Sequence, residues 1–158
     1  MNLSIQPLTE TQIHEFIRWQ YDGPYAMYSM TDENEEELID FFSDPVNGYF
    51  AIVDETRSIW GFCNFGEDAQ VPSGDYSIEA IDVGMGMRPD LTGKGQGVDY
   101  AQVVFDFAHK QYPGQTFRAT IAAFNQRAQK VCLKHGFKVV DRFERTKDKR
   151  PFLILIRE

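Results

Sequence analysis

The stretch Met87-Arg88-Pro89-Asp90-Leu91-Thr92-Gly93-Lys94-Gly95-Gln96-Gly97 joins a segment of strand character to one of helical periodicity. Upstream, Ile81-Asp82-Val83-Gly84-Met85-Gly86-Met87 reads as a strand. Downstream, Ala101, Val104, Phe105 and Ala108 recur at i, i+3, i+4 and i+7, the mark of a helix with one buried face. The three glycines therefore sit at a strand-to-helix turn. Without Cβ atoms, Gly93, Gly95 and Gly97 let the backbone take unusual φ values and approach a ligand closely with its N–H groups turned inward. Those groups, with the positive end of the following helix, suit a diphosphate. Two nucleotide-binding alternatives fit poorly. No Gly-Lys-Ser/Thr follows a Gly-x-x-x-x spacing, and a dinucleotide fold needs its glycine turn near the start of a βαβ unit, whereas this one falls past mid-chain.

A second segment narrows the choice. Asn125-Gln126-Arg127-Ala128-Gln129-Lys130-Val131-Cys132-Leu133-Lys134-His135-Gly136-Phe137 reads as a helix capped by Asn125 and closed at Gly136, with Ala128, Val131 and Cys132 on one face. Its order and spacing resemble the Asn-x-x-Ala-x-x-Leu-Tyr-x-Lys-x-Gly-Phe segment of the GNAT superfamily of N-acetyltransferases. The Arg-Pro-x-x-x-Gly-x-Gly-x-Gly stretch upstream is similar to that superfamily's acyl-CoA pyrophosphate loop. The resemblance implies one GNAT-like domain over 1–158, with 76–144 as the acetyl-CoA-binding core and 1–75 as the acceptor-side half.

The chain has 158 residues, long enough for one ordinary domain and too short for two. No apolar run approaches the ~20 residues that span a membrane, and the N-terminus has no export signal, so a cytoplasmic location is expected. Cys63 and Cys132 lack metal-ligand spacing, and His14, His109 and His135 are scattered, so no metal site is expected. A net charge of −8 disfavours nucleic acid and favours an amine-bearing acceptor. The acids concentrate in Asp32-Glu33-Asn34-Glu35-Glu36-Glu37, read as the first turn of a helix that Thr31 could cap.

Along the chain, Leu3 to Pro7 is expected as a strand and Thr9-x-x-Gln12 as a capping box. An aromatic, irregular segment surrounds Gly23-Pro24. Two strands, Tyr49–Val53 and Ser58–Phe65, form a hairpin, and a polar loop spans 66–76 before a long fourth strand. Strands at 117–123, 138–145 and 151–157 complete the order β-α-α-β-β-β-α-β-α-β-β. That order matches the GNAT arrangement, an α/β (α+β) fold with a mixed, largely antiparallel sheet and helices on both faces. The resemblance implies a splay between the fourth and fifth strands, through which the pantetheine arm of acetyl-CoA runs.

It also implies the site. Met85, Met87, Arg88, Thr92, Gly93, Lys94, Gly95, Gln96, Gly97, Val98, Asn125 and Ala128 are the expected cofactor-binding residues. Thr92 stands where many relatives have arginine or glutamine, and Lys94 could compensate over the phosphates. Arg127, Arg88 and Lys130 could reach the 3′-phosphate. A carboxylate on the fourth strand often assists deprotonation of the amine, and Glu79 and Asp82 are eligible. Three positions apart, they face opposite sides of a regular strand, but a bulge would disturb that parity, so both stay open. Cys132 occupies the place of the family's tyrosine, which protonates the departing thiolate. A proton donor, a buried small residue and a covalent carrier are its three readings. Trp19, Tyr21, Tyr25 and Tyr28, with the loop from Asp68 to Tyr76, are expected at the acceptor, because aromatic faces attract cations. The implied activity is transfer of acetyl from acetyl-CoA to the primary amine of a small molecule or peptide. A non-catalytic acyl-CoA-binding module is the alternative, and a homodimer stays open.

Overall fold

The computed structural model describes residues 2–158. Thr9 opens the first helix as a full capping box: its hydroxyl accepts from Gln12 N (3.2 Å) while the Gln12 side chain accepts from Thr9 N (2.9 Å). Strand β1 (Ser4–Pro7), helix α1 (Glu10–Phe16) and helix α2 (Glu35–Ser43) come first. Asn34, not Thr31, caps α2, accepting from Glu37 N at 3.0 Å. Residues 30–33 form a turn of their own, closed by Glu33 N on Met30 O, which moves the helix start three residues along. Strands β2 (Tyr49–Val53), β3 (Ile59–Phe65) and β4 (Ile81–Met87) follow, then α3 (Gly97–Gln111), β5 (Phe117–Ala122), α4 (Gln126–Lys134), β6 (Lys138–Glu144) and β7 (Pro151–Arg157). The aromatic segment Gly23–Tyr28 forms a 3-10 helix.

The loop before β4 runs to residue 80, four residues past its expected end. Ser77 folds back on Asp75 through its N–H and hydroxyl, and Arg118 takes the carbonyl of Ile78 at 2.6 Å. These three bonds divert this segment from the sheet, so Glu79 precedes the strand instead of lying on it. The β3–β4 register is unbroken from Gly61↔Met87 to Phe65↔Val83, so the expected bulge is absent there; register shifts occur instead in the β2–β3 and β6–β7 pairings.

One seven-stranded sheet has the order β1-β2-β3-β4-β5-β7-β6, antiparallel except for β4 beside β5. Each face carries its own core. On one, Ala101, Val104, Phe105 and Ala108 of α3 and Cys132 of α4 pack on Ile52, Cys63, Val83 and Phe117. On the other, Ile13, Phe16, Ile17 and Phe42 of the first two helices pack on Ala51, Val53 and Ile59. Phe105 is 1% exposed, so truncating it to alanine should cost about 3–5 kcal/mol. No helix among the described residues is long and apolar enough to cross a membrane.

Candidate active site

Strands β4 and β5 pair only at Ile81↔Phe117 and Asp82↔Arg118, and beyond those residues they part. Which backbone groups this leaves open follows from the other edge of β4. Gly66 N donates to Asp82 O (2.9 Å) and Arg88 N donates to Trp60 O (2.7 Å), so the even-numbered residues of β4 bond toward β3. By antiparallel alternation, Val83, Met85 and Met87 turn their N–H and C=O groups toward the gap. A seam of strand backbone thus lies open inside the sheet. Its far end is partly closed by the Tyr21 hydroxyl, which donates to Met87 O at 2.6 Å. Burial pushes the Tyr21 phenol up to about 12, so it stays a donor at neutral pH.

The glycine turn lies at that far end. Gly93 (φ 71°) and Gly95 (φ 77°) occupy the left-handed region, and Gly97 opens α3. Gln96, at the helix cap, makes no side-chain capping bond, which leaves the first N–H groups of this 15-residue helix without a side-chain acceptor. The Gln96 Oε1 is buried without a partner. Uncapped N–H groups, left-handed glycines and nothing within 4 Å of a Cβ placed on Gly95 fit a diphosphate ligand. The Thr92 hydroxyl closes the turn on Pro89 O (2.7 Å), and the Val98 carbonyl is engaged by the His135 ring (2.9 Å). Lys94 is exposed. Arg88 turns away, gripping Asp90 (2.7 Å) and the carbonyl of Ile59 (3.2 Å) on the β3 side. The cation beside the turn is Arg127, 3.4 Å from the place a Cβ on Gly93 would take and stacked on Tyr25 at 4.5 Å. Lys130 is exposed on α4.

Asn125 caps α4 as expected, accepting from Ala128 N at 3.2 Å, and its amide also donates to the Tyr28 hydroxyl at 3.1 Å. Tyr25 and Tyr28 both pack on Phe124, and Tyr21 on Tyr28, so three of the four expected acceptor aromatics gather between the end of β4 and the start of α4. Trp19 does not join them; it packs on Phe16 in the α1–α2 core.

The carboxylates lie at the opposite end of β4. There, a cavity of about 290 Å³ is lined by the loop, by Phe65 and Tyr112, and by Glu67, Glu79, Asp82 and Arg118. Asp82 is 4% exposed and Arg118 is 2% exposed, and the guanidinium grips the carboxylate through Nε (2.7 Å) and a terminal nitrogen (2.9 Å). Gln70 adds a third donor at 2.9 Å. The hydrogen bonding that Arg118 donates to Asp82 is the chief cause raising the Arg118 pKa, which keeps the guanidinium charged. Tyr76 stacks under Arg118 at 4.8 Å and is itself tied to Val71 N and Thr120. Asp82 is thus a bolt between β4, β5 and the loop, while Glu79 is exposed at the cavity. Sequence reasoning missed Arg118, although a lone arginine inside the apolar run Phe117–Ala122 signals a buried partner.

Cys132 lies inside the α3–α4 core at 6% exposure, where burial pushes its thiol up to about 12. The thiolate needed for a covalent carrier is therefore suppressed. His135 offers it no activation, since the ring is committed to Val98 O and packs on Phe105.

The GNAT acetyltransferase domain model matches residues 2–138 of this chain. Among solved structures, a chimera of the spermidine N-acetyltransferase SpeG from Vibrio cholerae and hSSAT superposes with a TM-score of 0.79 at 14% identity, covering 99% of this chain and 95% of that one. A GNAT-family acetyltransferase from Bacillus anthracis superposes with a TM-score of 0.75, also at 14% identity and with the same coverage. No curated protein matches the chain in sequence.

Proposed function

The chain belongs to the GNAT acetyltransferase domain family, and from that membership we propose that it moves an acetyl group from acetyl-CoA to a primary amine of a small molecule or peptide, by direct attack in a ternary complex. The observation that carries the reading is the open seam of β4 backbone between the uncapped, glycine-rich start of α3 and the point at Asp82 where β4 and β5 pair. The N–H groups from Gly93 to Val98 and the Arg127 guanidinium would hold the pyrophosphate of acetyl-CoA. Met85, through its open N–H and C=O, and Met87, through its N–H, would meet the amides of its pantetheine arm, the Met87 carbonyl being held by Tyr21. Asn125 and Ala128 flank the same opening. When bound, acetyl-CoA supplies a thioester carbonyl with a thiolate leaving group.

The chain's own residues must deliver a neutral amine. An alkylammonium has a pKa near 10.4, so about one molecule in a thousand is neutral at pH 7, a cost of roughly 4 kcal/mol. Glu79 is the residue we assign to accept that proton, directly or through water, because it is free at the cavity. Asp82 already accepts three N–H bonds and is paired with a buried guanidinium, so we assign it to positioning. Glu67 and Glu79 at the rim favour a cationic acceptor, in keeping with the net charge of −8. In this reading the acceptor pocket draws on both the 1–75 half and the 76–144 core, since Phe65, Glu67 and Gln70 line it together with Tyr76, Glu79 and Asp82. Tyr21, Tyr25 and Tyr28 then serve the cofactor end.

The buried Cys132 favours one second reading, a non-catalytic acyl-CoA-binding module, because it puts no phenol beside the leaving thiolate. Calorimetric titration with acetyl-CoA, followed by thiol-release assays over an amine library, separates the two. The library includes spermidine, the acceptor named for one structural neighbour. Binding with turnover on an amine supports the transferase, and binding without turnover on any amine supports the module.

A further inference from the structure

Strand β6 ends the sheet, and its one strand neighbour is β7. Every residue of β6 except Phe143 is exposed, Val139 at 50% and Val140 at 54% among them. At the hairpin end, Arg145 N donates to Arg150 O at 2.8 Å. Alternation from that bond directs the backbone of Phe143 and Asp141 toward β7 and turns the N–H and C=O groups of Arg142 and Glu144 outward, where the Arg142 N–H is held by the Asp141 carboxylate at 2.8 Å, a local bond that an incoming strand carbonyl would replace. Neither Arg142 nor Glu144 forms an ion pair among the described residues. A free edge of this kind is a template for another strand.

We propose that this edge pairs antiparallel with the β6 edge of a second copy of the chain, with Phe143 on the twofold axis. Register selects this axis. Outward-facing residues must stand opposite one another, so the axis passes through a residue and not between two. An axis at Asp141 sets two aspartates face to face, one at Arg142 two arginines, and one at Glu144 two glutamates; like charges directly opposite are destabilising. With the axis at Phe143, Arg142 of each copy faces Glu144 of the other, twice over. Asp141 then stands opposite Arg145, although the Arg145 side chain already holds Asp148 of its own chain at 2.6 Å. The Arg142–Glu144 matches therefore carry the selectivity, and the two outward residues of each copy exchange backbone hydrogen bonds.

Sedimentation velocity on the full chain over a concentration series tests this. The parent should show a monomer–dimer equilibrium. Arg142→Glu and Glu144→Arg should each weaken it at least about tenfold, since two attractive pairs become repulsive ones, and the double exchange should restore it. A parent that stays monomeric throughout, or a dimer indifferent to the single reversals or unrecovered in the double variant, overturns the proposal. Cross-linking gives a second readout. Residues opposite one another in a non-hydrogen-bonded pair have Cα atoms about 4.5 Å apart, within disulfide range, so Phe143→Cys should oxidise to a covalent dimer. The native Cys63 and Cys132 are buried, so the parent should stay unlinked, and an unlinked Phe143→Cys protein that is folded counts against the register.

Discussion

Replacing Asp82 by asparagine separates stability from catalysis. The substitution leaves Arg118, 2% exposed, with a buried positive charge and no carboxylate in contact, only the exposed Asp75 nearby; an amide carbonyl can still accept one of its hydrogen bonds. Breaking a buried pair from one side costs about 3–5 kcal/mol, and the retained bond points to the lower half of that range. For a chain of this size each kcal/mol moves the melting temperature by about 2–4 °C, so the full range is a fall of about 6–20 °C, read by calorimetry or circular dichroism. Because the cost comes from the orphaned charge, Asp82→Leu with Arg118→Met should recover most of the loss. Below its lowered melting temperature, folded Asp82→Asn protein should keep kcat/KM within about tenfold, whereas Glu79→Gln should melt like the parent and lose at least about tenfold near neutral pH. An Asp82→Asn melting temperature within about 2 °C of the parent would refute the buried-pair argument. Should Asp82→Asn be stable and inactive while Glu79→Gln is fully active, the two roles are reversed.

Gly95→Val forces a side chain into the left-handed region and the cradle, and should raise the acetyl-CoA dissociation constant more than about tenfold by calorimetry with the fold intact. It is a cleaner probe than Gly97→Val, whose Cβ would meet Val131 Cγ2 at 2.9 Å and disturb α3–α4 packing. Unchanged affinity in folded Gly95→Val protein would misplace the pyrophosphate. Arg127→Ala should raise KM for acetyl-CoA with little change in kcat, as expected for a residue that binds ground and transition states alike. Cys132→Ala should retain turnover, and an acetylated Cys132 peptide trapped by mass spectrometry would contradict its place in the core. Asp148 is held by Arg145, which lowers its carboxyl below the ordinary 3.8. The hairpin's gain from this carboxylate is thus fully present above pH 3.8 and is lost as pH falls through the lowered value. A carboxyl NMR titration should find its midpoint below 3.8, and a midpoint at or above that value contradicts the pairing.

Much of the fold was legible because its signals are local. The Thr9 box, the Asn125 cap, the closing Gly136 and the buried stripe of α3 each depend on residues a turn or two apart, and the structure reproduces them. Thr31 misled because residues 30–33 form a turn of their own, which moves the helix start on and makes Asn34 the cap. The glycine turn was legible for the same local reason.

The chemistry at the other end of β4 was not. Glu79 and Asp82 look equivalent in sequence, and what separates them is Arg118, 36 positions away, together with a loop that Asp75 and Arg118 hold off the sheet. Cys132 aligned with a tyrosine in the family pattern, but only the packing of α4 on α3 decided that the thiol is sealed in the core. The sequence by itself determined the order and kind of the elements, because backbone preference, capping and hydrophobic period act over a few residues. Tertiary structure alone decided which charges are buried together, which backbone groups β5 leaves unpaired, and which carboxylate reaches the cavity, because those depend on desolvation and contact between segments far apart in the chain.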